Sequence, residues 1–160
     1  MANIDFLKEV DIFKNLKDDQ FSTMQICWDE KHYQKRDKIF SEGEEAKHIW
    51  VVAEGQVGLR FDLPGHPTSE ENTVSINSKG MCFGWSAFVP PNVYSLAAYC
   101  DSSTCKIIQL EKNCLIRLFE KEPATGYVIM SNIAQIIGNR FHQLQDEVVK
   151  RKGYEIMFQW

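Results

Sequence analysis

Between His32 and Leu110 the chain is a succession of short apolar or alternating runs, each cut off by a turn before it reaches helical length. Lys38-Ile39-Phe40 runs into Glu42-Gly43-Glu44-Glu45, and the apolar, β-rich run His48 to Ala53 meets a hairpin signal at Glu54-Gly55-Gln56. Val57, Leu59 and Phe61 alternate with Gly58, Arg60 and Asp62, the pattern of a half-buried strand. Leu63 to Asn72 is loop by composition, with two prolines and a glycine. Thr73 to Asn77 alternates again before the turn Ser78-Lys79-Gly80, and Thr104 to Leu110 is the last strand. Strands this short, separated by regular turn signals, predict a sandwich or double-stranded β-helix barrel of the jelly-roll class over residues 31–110.

On either side the period changes to that of a helix. Residues 1–30 read as helical: Ile4, Leu7 and Val10 recur at helical spacing, and Asp18 can cap a second helix carrying Phe21, Met24 and Trp28 on one stripe. Asp11 to Leu16 offers apolar anchors between the two. Residues 111–152 return to helix, with a short one over Glu111 to Lys121 stopped by Pro123 and then a long one. The long helix carries Ile129, Ile133 and Ile136 on one stripe and Ile137, Phe141, Leu144 and Val148 on its neighbour. Packing on a single barrel needs one stripe. The second predicts an isologous homodimer, with Ile129, Ile133, Ile136, Ile137, Phe141 and Leu144 as candidate interface residues. Gly153 is expected to end the helix. The remaining tail, residues 153–160, alternates Tyr154, Ile156, Phe158 and Trp160 with Glu155, Met157 and Gln159, the period of a strand. So apolar a tail is expected to dock on its own domain or on the partner. The whole chain, residues 1–160, reads as one α+β domain.

Composition narrows the function. A net charge of −4 and a pI near 5.6 give no electrostatic reason to bind nucleic acid. No apolar run approaches the length of a membrane span, and the acid-bearing start MANIDFLKEVD is no signal peptide, so the expected location is cytoplasmic. The five cysteines, Cys27, Cys82, Cys100, Cys105 and Cys114, form no CxxC pair and are expected to be reduced and buried as small apolar residues. His32, His48, His66 and His142 are scattered. No metal site, cofactor or catalytic set is implied.

One stretch carries a candidate site. Met81 to Cys100 opens a short helix at Gly84 (Trp85-Ser86-Ala87-Phe88), closes it at Pro90 and Pro91, and returns as an extended run from Ser95. A tight turn, a helical start and a return strand make a cradle for an anionic group. Ile12-Phe13 with Leu16 and Phe21, Ile39-Phe40-Ser41-Glu42-Gly43-Glu44, His48 through Val57, Lys79-Gly80 through Phe83-Gly84, and Asn132-Ile133-Ala134 with Arg140-Phe141 stand in an order that resembles a cyclic nucleotide-binding domain. The chain looks most like the sensor half of the catabolite activator type of bacterial regulators. The resemblance implies a jelly roll with a ligand cassette, and a long C-terminal helix that mediates dimerisation.

Two positions depart from that family. Nucleotide-binding members place a glutamate for the ribose hydroxyl after the Phe-Gly pair, where this chain has Trp85. They place an arginine for the cyclic phosphate where Tyr94 or Ser95 falls here. Losing a charge-assisted hydrogen bond (about 1.5–3 kcal/mol) and leaving a buried charge unpaired (about 3–5 kcal/mol) would move a micromolar ligand toward millimolar. Activators of this kind also continue into a DNA-reading helix-turn-helix, whereas only seven residues follow Gly153, so direct DNA binding is not expected. The candidate pocket is Phe83, Gly84, Trp85, Ser86, Ala87, Tyr94 and Ser95, suited to a flat or apolar small molecule. The expected function is a non-enzymatic sensor or interaction module acting through an effector protein. A cupin-type enzyme and a degenerate dimerisation scaffold are the alternatives.

Overall fold

The computed structural model describes residues 4–66 and 68–158; Gln159 and Trp160 of the tail lie outside them, as does the side chain of Ile4. Eight strands form two antiparallel four-stranded sheets. These are β1 (Trp28–Gln34), β2 (Lys38–Phe40), β3 (His48–Glu54), β4 (Gln56–Arg60), β5 (Thr73–Ser78), β6 (Cys82–Phe83), β7 (Ala97–Cys100) and β8 (Thr104–Glu111). One sheet runs in the order β1-β8-β3-β6, the other β2-β7-β4-β5, and together they make the jelly roll. β3 reads as continuous apolar sequence because it is covered on both faces: Ile49, Val51 and Val52 are fully buried, and Trp50 and Ala53 nearly so. Its register against β8 pairs Ile49 with Leu110 and Val51 with Ile108.

Helices close the ends. α1 (Ile4–Glu9), a 3-10 turn at Asp11–Phe13 and α2 (Asp18–Met24) precede the strands; α3 (Lys112–Lys121) and α4 (Pro123–Met157) follow them. Leu7, Ile12, Phe13, Phe21 and Met24 join Leu115, Leu118, Ile129 and Ile133 and the strands in one buried cluster. The two ends of the chain are clipped by Asn132 on α4, whose Nδ2 donates to the carbonyls of Ile12 (3.0 Å) and Lys14 (2.8 Å). A buried amide needs such partners.

Several expectations are corrected. Trp28 begins β1 instead of extending α2, although its ring still packs on Phe21 at 5.5 Å. The N-cap of α2 is Lys17, and Asp18 instead accepts from Lys8 Nζ at 2.5 Å. β4 is not half solvated. Gly58 leaves room where any Cβ would fall on the Asp101 carboxylate, so Asp101 lies across the strand and pairs with a buried Arg60. That guanidinium also sits 4.8 Å from the centre of the Tyr99 ring, while Phe61 is exposed.

Gly153 does not end α4, which continues to Met157. A glycine in a helix interior costs about 1 kcal/mol, too little to stop a helix of this length. The Tyr154 and Phe158 rings, one turn apart, stack at 6.5 Å. The described part of the tail, residues 153–158, therefore does not fold back on its own domain: Tyr154, Ile156, Met157 and Phe158 are all exposed.

Two of the five cysteines are not free. Cys27 and Cys114 form a disulfide, while Cys82, Cys100 and Cys105 are buried thiols. Sequence separation hid this pair. β1 and β8 meet with Trp28 opposite Leu110, so the residue before β1 and the first turn of α3 arrive at the same corner.

Candidate ligand-binding site

The cassette forms as the sequence predicts. After β6, Gly84 takes a left-handed conformation (φ 78°) and starts a 3-10 turn over Trp85–Ala87. Only glycine fits, because a Cβ here would meet Trp50 Cδ1 at 2.6 Å. Asn92, itself left-handed (φ 60°), folds its side chain back to donate to the carbonyls of Ser86 (3.2 Å) and Ala87 (3.0 Å). Asn92 lies beyond the two prolines, and its closure of the turn is a part of the site that sequence reading missed.

A cavity of about 240 Å³ opens between this turn and the inner face of the second sheet. It is lined by Phe40, Leu59, Gly84, Trp85, Ser86, Tyr94, Ser95 and Leu96. Five of the seven expected pocket residues are among these; Phe83 and Ala87 are fully buried behind the wall, and Phe40 and Leu59 come from distant strands. No lining side chain carries a charge. The volume lies below the range of about 300–1,000 Å³ usual for ligand sites.

Tyr94 explains much of that. It is 4% exposed, and its ring stacks on Phe40 with centroids 3.7 Å apart and planes 16° apart. Its hydroxyl donates to the His48 carbonyl (2.8 Å) and accepts from Trp50 Nε1 (3.1 Å) and the His48 amide (3.3 Å). A phenol has one proton to give and two lone pairs, so its hydrogen-bonding capacity is fully used by the protein. Burial raises its pKa, which keeps it neutral. Tyr94 thus presents a ring face to the cavity and no polar function.

The lysines that flank the cassette in the sequence are engaged elsewhere. Lys79 lies over the Phe6 ring and Lys106 pairs with Glu54. Arg140 reaches in from α4 and donates to Ser75 Oγ (2.8 Å) and Asn77 Oδ1 (2.5 Å), with its guanidinium 5.8 Å from the Trp85 ring centre. Burial lowers its pKa. The sequence placed Arg140 on the long helix expected to mediate dimerisation; in the structure it also braces the back of the cassette. Asn77 is fully buried, and its Nδ2 has no hydrogen-bond partner among the described residues. No group of three or more His, Cys, Asp or Glu able to hold a metal ion exists among the described residues.

On α4 the two stripes separate. Ile129 and Ile133 are buried in the chain's own core, which removes them from the expected interface; Ile136 and Ile137 are half-buried. Phe141 (58%) and Leu144 (53%) face outward, continued by Val148 and Val149. No helix among the described residues is long and apolar enough to cross a membrane.

Comparison with known proteins agrees with this architecture. The cyclic nucleotide-binding domain profile matches residues 30–122. Human cGMP-dependent protein kinase 2 is 29% identical over 132 residues, 79% of this chain. The chain spans only 17% of that kinase's length. A Drosophila melanogaster cGMP-dependent protein kinase is 30% identical over 110 residues, 67% of this chain and 12% of its own length. Among solved structures, a cyclic nucleotide-binding protein from Geobacter metallireducens superposes with a TM-score of 0.74 at 25% identity, covering 89% of this chain and all of that one. The catabolite activator protein of Thermus thermophilus gives 0.70 at 18% identity, with 89% and 63% covered.

Proposed function

This chain belongs to the cyclic nucleotide-binding domain family, and on that premise we propose that it is a non-enzymatic regulatory sensor whose pocket has diverged from cyclic nucleotides toward a small, flat, uncharged ligand. The observation that carries this reading is the saturated Tyr94 hydroxyl at the cavity wall, at one of the two positions, Tyr94 or Ser95, where the family resemblance puts the phosphate-binding arginine. Trp85 stands where the ribose-binding glutamate would be, so neither charged contact can form. Trp85, Phe40 and Tyr94 offer aromatic faces, and Ser86 and Ser95 offer hydroxyls. The signal passes to an effector protein through α4, and the outward stripe with Phe141 and Leu144 pairs two copies of the chain.

Calorimetric titration with cyclic AMP and cyclic GMP tests the pocket. No binding is expected below about 1 mM, the affinity left when the charge-assisted contacts are removed; a micromolar dissociation constant for either would refute the reading. The converse variant combines Trp85→Glu with Ser95→Arg, because Ser95 is exposed and lines the cavity while Tyr94→Arg would break the buried hydroxyl network. That double variant is expected to gain measurable nucleotide affinity.

A further inference from the structure

We propose that Cys27–Cys114 is a redox-active site that exchanges with a dithiol reductant, and that its state determines how firmly α3 is held to the rest of the domain. The bond joins the residue before β1 to the first turn of α3, across 87 residues of sequence. Both cysteines line an open cleft of about 570 Å³, shared with Asp29, His48, Glu111 and Arg117. Cys114 is half-buried whereas Cys27 is only 3% exposed, so the sulfur of Cys114 is the one an incoming thiolate reaches.

The exchange balances without any other reactant. A thiolate of the dithiol attacks Sγ of Cys114, the Cys27–Cys114 bond breaks, and Cys27 leaves as a thiolate that takes a proton. The second thiol of the reductant then attacks the mixed disulfide and releases Cys114, which is protonated in turn. Two electrons and two protons pass to the protein, and the reductant departs as its own disulfide. The oxidised form of the same class of dithiol drives the reverse.

The other three cysteines are poorly placed for this chemistry. Cys82, Cys100 and Cys105 are buried, and burial pushes the thiols of Cys82 and Cys100 up to about 12. Thiolate, the reactive form, is therefore scarce at those two positions.

The consequence follows from what α3 touches. Its Phe119 ring lies 6.2 Å from Phe88, the residue that closes the Trp85–Ala87 turn. Phe119 also packs so closely on Gly126 of α4 that a Cβ there would meet it at 2.8 Å. α3 thus stands between the cassette and the long helix. Asn132 clips α4 directly to the N-terminal turn, but among the described residues the disulfide is the one covalent cross-link on α3. Reduced, α3 is held by the packing of Leu115 and Leu118 and by the Glu111 cap, and it opens more often.

The test uses the whole chain, treated with dithiothreitol under native conditions and trapped with iodoacetamide. Two alkylated cysteines are expected, mapping to Cys27 and Cys114; in a parallel sample re-oxidised by the oxidised dithiol before iodoacetamide is added, both are expected to stay unlabelled. Hydrogen exchange across residues 112–121 is expected to speed up at least tenfold on reduction, with β3 and β8 unchanged. Cys114→Ser, kept under oxidising conditions, is expected to exchange like the reduced wild type. Resistance to dithiothreitol short of unfolding would overturn the proposal, as would labelling of Cys82, Cys100 or Cys105 instead. Equal exchange of α3 in the two states would also overturn it, and this comparison needs no variant.

Discussion

Replacing Tyr94 by phenylalanine isolates the contact that shapes the cavity. The ring that stacks on Phe40 at 3.7 Å is retained, and only the hydroxyl is lost. Three partners lose it together: the Trp50 indole N–H, and the amide and carbonyl of His48. Trp50 is 4% exposed, so its N–H has no water to turn to, whereas the His48 backbone stands at the half-buried start of β3. One buried donor left unpaired costs about 1–3 kcal/mol, and a weakened carbonyl and amide bring the total to about 2–4. For a domain of this size that is a fall in Tm of roughly 5–12 °C. Urea unfolding followed by tryptophan fluorescence is the assay, with the midpoint falling and the slope m unchanged. A loss below about 0.5 kcal/mol would refute the reasoning, since it would mean that the Tyr94 hydroxyl is not structurally committed. Tyr94→Phe is also expected to leave nucleotide affinity as weak as before.

Other perturbations reach different parts of the chain. Asp101→Ala strips the buried Arg60 of its counter-ion and is expected to cost about 3–5 kcal/mol in urea unfolding, while Arg60→Met combined with Asp101→Ala recovers most of it; equal loss in both would refute the pairing. Burial lowers the pKa of His48, so below the unfolded value of 6.5 the unfolded chain binds a proton that the folded chain resists. Stability is therefore complete above that pH and declines as pH falls through it, and His48→Gln is expected to flatten the decline between about pH 7 and 5. An unchanged slope would count against it. Light scattering at micromolar concentration is expected to give a dimer for the wild type and a monomer for Phe141→Glu, whose side chain is already 58% exposed and whose fold is expected to survive; a monomeric wild type would remove the two-fold proposal.

The sequence determined the kind of domain because that information is local. Strand alternation from His32 to Leu110, the helical stripes of α4 and the glycine before Trp85 each follow from what neighbouring side chains allow, and the jelly roll and cassette formed where those signals stood. It could not settle questions that depend on which distant residues meet. The pairing of Cys27 with Cys114 follows from the β1–β8 register. The burial of Arg60 follows from Asp101 arriving over Gly58 on the neighbouring strand. A missing arginine at Tyr94 or Ser95 was legible, but only the approach of Phe40, His48 and Trp50 made the Tyr94 hydroxyl a structural group with nothing left for a ligand. α4 also outlasted its own punctuation, because one glycine penalty is small beside the cooperativity of a helix of 35 residues, about 52 Å long. Periodicity is written in the chain; the partners that bury a charge, oxidise a thiol pair or occupy a hydroxyl are chosen only when the sheets close.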